Sequence, residues 1–399
     1  MNEEVRAREA TWKHAKELLK IPGVQLVYTR TKIKAGIDTK QPATIVCVEK
    51  KLSPSELSAL KMPMIPPELN GTVTDVIEVG KLTAPPPKSD IKIRSASDHQ
   101  KKFRPKVPGG VTAIEYCSSA CTLTTWVWSD KLGEPVALQN WHCCRMQQCR
   151  DGWILQPSPY DLGFYPADVI GQFIAGDINN PYTDSGISCE AEPHGFATME
   201  IYGLGSFKGY CIPEVDDRFI KSGRTTGVTQ GTVLALDGAA NISYPDEVRQ
   251  KEDLIVTTHM LDGGDSSSPA KIIRNGVIQP PLAGQGFAGS DTVSCFIKIP
   301  NIISDPALAP YKLNFDYEYE APTPAPEPPQ PEASCPEEFT ECLAAVESVW
   351  DLGGCILDFI KCWFKIKKKP RYNKSRTIGS LDYKGYTISV QIKKKRRKR

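Results

Sequence analysis

"FIKSGRTTGVTQGTVLAL", residues 219–236, alternates β-prone residues with a Gly- and Thr-rich turn, and its character extends over the whole stretch 109–303. "TLTTWVW" (122–128), "DLIVTTHM" (253–260) and "GQGFAGSDTVSCFIKI" (284–299) repeat it, each bounded by Gly, Asn, Asp or Pro clusters. Short β-prone runs without long helical periodicity predict an all-β barrel or sandwich.

On the N-terminal side, residues 4–19 read as an amphipathic helix ending at Ile21-Pro22. "VQLVYTRTKIK" (24–34), "ATIVCVEKK" (43–51) and "GTVTDVIEVG" (71–80) have strand composition, with a turn or short helix in "LSPSELSAL" between the last two. Residues 1–80 are therefore expected to form a small α+β module. Residues 81–108 are rich in Pro, Lys and Ser and read as a linker.

On the C-terminal side a linker is expected over 304–333, with a Pro-rich spacer "APTPAPEPPQPEA" at 321–333. Ser334 and Glu337 fit a capping box, and Cys335, Cys342, Cys355 and Cys362 follow at spacings of 7, 13 and 7. Such spacing predicts a helical hairpin over 334–366 in which Cys335 pairs with Cys362 and Cys342 with Cys355. Reduced cysteines lining its seam are the alternative, and the C-x2–4-C spacing of a zinc site is missing.

A basic tail, 367–399, ends the chain. Residues 365–399 hold 15 Lys/Arg and a single acidic residue, Asp382, so a tail near +14 balances a body near −12 in a chain of net charge +2. It suits an anionic surface or nucleic acid, or stays a solvated end; "YKGYTISVQI" within it reads as a strand or hairpin. The charged N-terminus lacks the apolar core of an export signal, which predicts a cytoplasmic location, and no apolar run is long enough to predict a spanning helix. Thirteen cysteines pull the other way unless many are simply buried apolar residues.

A serine becomes a nucleophile only with a base to take its proton, a carboxylate to orient that base and donors for the oxyanion. "GGDSSSP" (263–269) offers the serine, and "NWHCC" (140–144) holds His142, one of five histidines. These stretches resemble the nucleophile loop and the histidine motif of chymotrypsin/trypsin-like serine peptidases. "KSGRTTGVTQGTV" (221–233) is similar to a run found in a mainly bacterial group of them, and "LQPSPYDLG", "IVTTHM" and "FAGSDTVS" match in order. "IPPELNGTVTDVIEVG" (65–80) resembles the module that precedes the protease in that group.

The resemblance, over roughly residues 20–303, implies a mainly β protein: a chymotrypsin-like double β-barrel over 109–303 with the active site between the barrels. It implies a serine endopeptidase acting on polypeptides, with no cofactor or metal. Ser266 is the implied nucleophile, His142 the base and Asp184 the carboxylate, with Asp161 and Asp177 as alternatives. The N–H groups of Gly264 and Ser266 are the implied oxyanion donors. Met260 is placed at the base of the primary pocket, with Gly286, Phe287, Ala288 and Gly289 along its wall, which suits an apolar or small side chain. The chain departs from the family in having Ser267 after the nucleophile, where glycine is usual, and Trp141 before the histidine. A catalytically impaired protease-fold scaffold is therefore the alternative reading.

Overall fold

A computed structural model describes residues 2–34, 36–84, 98–145, 149 and 151–317, and the backbone of 377–383 and 386–391. The chain divides into two compact units, Met1–Pro322 and Thr323–Arg399.

In the first unit, α1 (Glu3–Leu18) is capped by the Asn2 side chain and buries a stripe of Ala7, Ala10, Ala15 and Leu18. It packs on β1 (Val24–Lys34) and β2 (Ile37–Val48). The chain then passes through α2 (Pro54–Ala59), opened by a Ser53/Glu56 capping box, to β3 (Glu68–Leu69) and β4 (Thr72–Glu78). This crossover lets β4 lie parallel to β2.

The first barrel contains β5 (Ile114–Glu115), β6 (Thr125–Ser129), β7 (Glu134–Asn140), the single-turn α3 (Trp141–Cys144), β8 (Trp153–Leu155), β9 (Val169–Asp177) and β10 (Ser185–Glu190). Its strands pair in the order β6-β7-β10-β9-β8-β5. Buried Trp126 anchors its core and donates its indole N–H to the Val107 carbonyl at 2.9 Å. Disulfides join Cys117 to Cys149 and Cys121 to Cys143, bonds that persist in oxidising surroundings. Cys47, Cys144 and Cys295 remain free and buried.

A small hairpin, β11 (Glu200–Ile201) and β12 (Gly205–Ser206), precedes the second barrel. That barrel contains β13 (Arg218–Gly223), β14 (Gly227–Ser243), β15 (Val248–Thr258), β16 (Pro269–Arg274), β17 (Val277–Ile278), β18 (Gly284–Gly289) and β19 (Val293–Ile297). Pairing runs β13-β16-β18-β19-β15-β14, and β14 returns to β13, so six strands close a ring without a free edge. The stretch 219–236 is the β13–β14 hairpin that makes this closure. After α4 (Ile299–Ser304), β20 (Leu313–Asn314) pairs back onto β6, burying Leu308, Leu313 and Phe315. The protein is the mainly β double barrel that its sequence predicts.

The barrels reach into segments that read as loose chain. Residues 305–317 pack against the fold, as do Leu82, Ala84, His99 and Val107 at the two ends of the expected 81–108 linker. Residues 85–97 lie outside the described residues. The N-terminal strands also prolong the second-barrel sheet: β14 is long enough to pair with β13 at one end and with β1 at the other, through Leu26↔Ala240 and Val27↔Ala239. Leu26, Tyr28 and Ile45 share one core with Ile242, Leu254 and Val256.

In the second unit, the described backbone is a hairpin of β21 (Thr377–Tyr383) and β22 (Tyr386–Gln391), where the sequence predicts a strand or hairpin. The expected helical hairpin of 334–366 with its cysteine pairs, the 321–333 spacer and the ends of the basic tail lie outside the described residues. Among the described residues, no helix is long and apolar enough to cross a membrane.

Removing residues 1–80 uncovers the β14 edge and strips Leu26, Tyr28 and Ile45 from the shared core. At about 1.5–3 kcal/mol for each buried side chain, the truncated chain is expected to lose at least about 5 kcal/mol in denaturant unfolding and to aggregate. Unchanged stability would show the module to be energetically separate.

Candidate active site

Strand register assembles the first half of the site. β10 pairs with β7 so that Ser185 faces Asn140, which sets Asp184 beside the turn where β7 becomes α3. The Asp184 carbonyl accepts from the Trp141 amide (3.0 Å) and from Asn140 Nδ2 (2.9 Å). Its carboxylate accepts from the His142 amide through Oδ1 (3.1 Å) and meets His142 Nδ1 through Oδ2 (2.6 Å). This holds the imidazole with Nε2 facing away from the carboxylate; Nε2 is buried and has no hydrogen-bond partner among the described residues. The Cys121–Cys143 disulfide pins the residue after the histidine to the first barrel.

Two groups beyond the sequence reading complete the surroundings of Asp184. Tyr244, which directly follows β14, donates its hydroxyl to Asp184 Oδ2 at 2.9 Å. Lys251, on β15, is buried with Nζ in a cage of the carbonyls of Ile178 (2.6 Å), Asn180 (2.8 Å) and Thr183 (2.5 Å). Burial pulls the Lys251 ammonium down to about 8 although the Asp184 charge opposes this. Burial alone would push the Asp184 carboxyl up, but His142, Lys251 and the Tyr244 hydroxyl hold it below the usual range. Only the pairing of β14 with β15 and the fold around it bring Tyr244 and Lys251 here, so no local motif marks either one.

The two alternative carboxylates, Asp161 and Asp177, are engaged elsewhere. Asp161 receives Arg224 through Nε (2.9 Å) and Nη2, and also Thr112 Oγ1 (2.5 Å) and Ser158 Oγ (2.8 Å). Asp177 accepts from the Asn179 amide at 2.8 Å in the turn after β9.

The second half of the site is the 262–268 loop, held through Asp265. Its Oδ1 accepts from the amides of Thr225 (2.7 Å) and Thr226 (3.1 Å), and its Oδ2 from Thr226 Oγ1 (2.6 Å) and the Asp262 amide (3.1 Å). Lys221 Nζ lies 3.1 Å from Oδ2, with both side chains fully buried. Burial would raise the Asp265 carboxyl, but Lys221 and these donors hold it low. The "KSGRTTG" stretch is thus the cradle of Asp265. Gly223 belongs to it because a Cβ there would collide with Ser268 Oγ and Asp265 Oδ1.

Gly264 takes φ +96°, the left-handed side that glycine tolerates. Among the described residues, the N–H groups of Gly264 and Ser266 have no acceptor, and the Ser266 hydroxyl has no hydrogen bond. Ser267 takes φ +75°, so it keeps the backbone path a glycine would take. Of the residues expected around the primary pocket, Met260, Gly286, Phe287 and Ala288 are buried and Gly289 is half-buried. Met260 packs with Phe219, Leu261 and Phe296, and Phe287 joins the main core.

A metal centre does not fit the cluster of His142, Cys121 and Cys143, because the two sulfurs are bonded to each other.

No family model and no curated protein sequence matches the chain. Solved structures similar to it are serine proteases. Cellulomonas bogoriensis chymotrypsin is 20% identical and covers 53% of this chain and 98% of its own, with a TM-score of 0.36. Thermobifida fusca protease A is 18% identical over 52% of this chain and 97% of its own, at 0.37. The Nocardiopsis protease is 17% identical over 53% of this chain and 100% of its own, at 0.38. By its strand topology this chain has the chymotrypsin-like protease fold.

Lys221→Met strands a buried carboxylate, at an expected cost of about 3–5 kcal/mol. The sign follows from linkage: a carboxyl held below its unfolded value of about 3.9 contributes stability above that pH and loses it as pH falls through the folded value. The gap between wild type and Lys221→Met in denaturant midpoints is therefore widest above about pH 5 and narrows in acid. A gap independent of pH would remove Asp265 as the group involved.

Proposed function

We propose that this protein is a serine endopeptidase working through Ser266, His142 and Asp184. The observation that carries the reading is the 2.6 Å contact between His142 Nδ1 and Asp184 Oδ2, which leaves Nε2 as the only ring nitrogen free to take a proton. Among the described residues the Ser266 hydroxyl has no hydrogen bond and the amides of Gly264 and Ser266 have no acceptor, and these groups supply the remaining parts of the reading. Catalytic hydrogen bonds that tighten only with substrate bound accord with the free serine hydroxyl.

In this reading Ser266 Oγ attacks the scissile carbonyl while His142 Nε2 accepts its proton, and the oxyanion receives the N–H groups of Gly264 and Ser266. The imidazolium is stabilised by Asp184, then gives its proton to the leaving amine. Water, activated by the same histidine, releases the acyl group. Apolar Met260 and the 286–289 strand suit a small or apolar side chain before the scissile bond. The impaired-scaffold reading rests on Ser267 distorting the loop, and the φ of Ser267 supports an undistorted one.

A fluorophosphonate probe is expected to label the wild type and not Ser266→Ala; an unlabelled, folded wild type would overturn the proposal. Asp184→Asn should lower kcat about 10⁴-fold. Tyr244→Phe removes one hydrogen bond to the charged Asp184 carboxylate, a loss of about 1.5 kcal/mol or tenfold in kcat with KM unchanged. Equal activity of Tyr244→Phe and wild type would show that the hydroxyl does not support the carboxylate.

A further inference from the structure

Ser267 sits where the nucleophile loop meets the other barrel. Its hydroxyl accepts a hydrogen bond from the Asn140 amide at 2.6 Å and donates to Cys143 Sγ at 3.4 Å. Asn140 is the last residue of β7 and Cys143 follows His142 directly, so the two contacts bracket the histidine. The Ser267 backbone is fixed too: its amide donates to the Gly286 carbonyl (2.7 Å), and its carbonyl accepts from Thr124 Oγ1 (2.8 Å). The residue is fully buried.

A serine at φ +75° carries a backbone strain that glycine would not. Strain of this kind persists where surrounding contacts over-determine it, and here those contacts join the serine loop to the histidine turn. Without the hydroxyl, the Asn140 N–H is left buried and unpaired.

We propose that Ser267 is a positioning residue: its hydroxyl ties the turn carrying His142 on the first barrel to the loop carrying Ser266 on the second, fixing the spacing of base and nucleophile. The inference rests on the serine peptidase reading and deepens it. Ser267 touches neither substrate nor reacting atoms; it acts by limiting how far the imidazole can drift from the Ser266 hydroxyl. Small misplacements of reacting groups are costly in rate.

Ser267→Gly is the decisive variant, because it removes the hydroxyl and the strain together: relief of the strain offsets part of the cost of the unpaired Asn140 N–H, and the variant should stay folded with a melting temperature near that of the wild type. It is nevertheless expected to lose about tenfold in kcat and in the rate of fluorophosphonate labelling, equivalent to about 1.4 kcal/mol, with KM unchanged. Ser267→Ala, which keeps the Cβ, should show the same kinetic loss at lower stability. Amide hydrogen exchange at Asn140, protected in the wild type, should quicken in both. Wild-type labelling rates in Ser267→Gly would overturn the inference while leaving the peptidase reading intact. An unlabelled wild type would overturn the peptidase reading, and with it the catalytic role; Asn140 exchange would then decide whether the tether itself exists, unchanged protection in Ser267→Gly overturning it.

Discussion

The buried charge of Asp265 is the constraint on which the site depends. Taking a carboxylate and an ammonium out of water costs several kcal/mol for each ion, and their attraction offsets this only when geometry is good and the remaining hydrogen-bonding capacity is filled. Lys221 supplies the opposite charge, and the amides of Thr225, Thr226 and Asp262 with the Thr226 hydroxyl supply the rest. These partners hold the chain on its course through 262–268. That course puts Gly264 at positive φ and leaves its amide and that of Ser266 without an acceptor among the described residues. The proposed oxyanion donors are thus a by-product of solving a burial problem one residue away.

Asp184 meets a similar problem with a different solution. Among the described residues no lysine or arginine pairs with its carboxylate: it accepts from the His142 amide and the Tyr244 hydroxyl, and Lys251 acts on it at longer range, held by three carbonyls rather than by the carboxylate. In the proposed mechanism, a permanent ion pair would answer the charge that the imidazolium needs. Lys251 instead stiffens the 178–183 turn that delivers Asp184, while its field favours the ionised carboxyl. One aspartate holds a shape and the other holds charge in reserve.

Local signals made much of this visible in the sequence. Helix α1, the strands of the N-terminal module, the β character of 109–303 and the stretch around 221–233 all carry periodicity or turn chemistry that acts over a few residues. Short motifs mark His142 and Ser266 in the sequence, and Asp184 lies between them where the resemblance puts the carboxylate. Tyr244 and Lys251 had no such mark, since a tyrosine before Pro-Asp and a lysine among charged neighbours look like surface residues until β14 and β15 curl round the site. The pairing of β1 with β14 has no mark in the sequence, because an edge strand looks the same whether it ends a module or continues a barrel. The packed ends of the 81–108 stretch were hidden by composition, as Pro and Lys outnumber the buried Leu82 and Val107. Spacing directed attention to the cysteines beyond residue 334, whereas Cys121 and Cys143 meet only because β6 and β7 bring α3 back over the start of the barrel.

The proposed base and nucleophile sit on different barrels, so their spacing depends on the contact between two otherwise self-sufficient cores. An apolar seam would give adhesion without register, because dispersion is nearly indifferent to small slides. The seam here is built from directional bonds. Thr122 donates its amide to the Ser266 carbonyl at 2.9 Å and its hydroxyl to the Gly264 carbonyl at 3.0 Å. Gln285 bridges Ser185 Oγ at 2.6 Å and Thr124 Oγ1 at 2.8 Å. Each group is buried and paired, so the desolvation that would penalise a polar seam is met bond by bond. Ser267 extends this pattern to the histidine turn itself. The second serine of "GGDSSSP", a departure from glycine when seen in the loop alone, belongs to the seam and not to the turn.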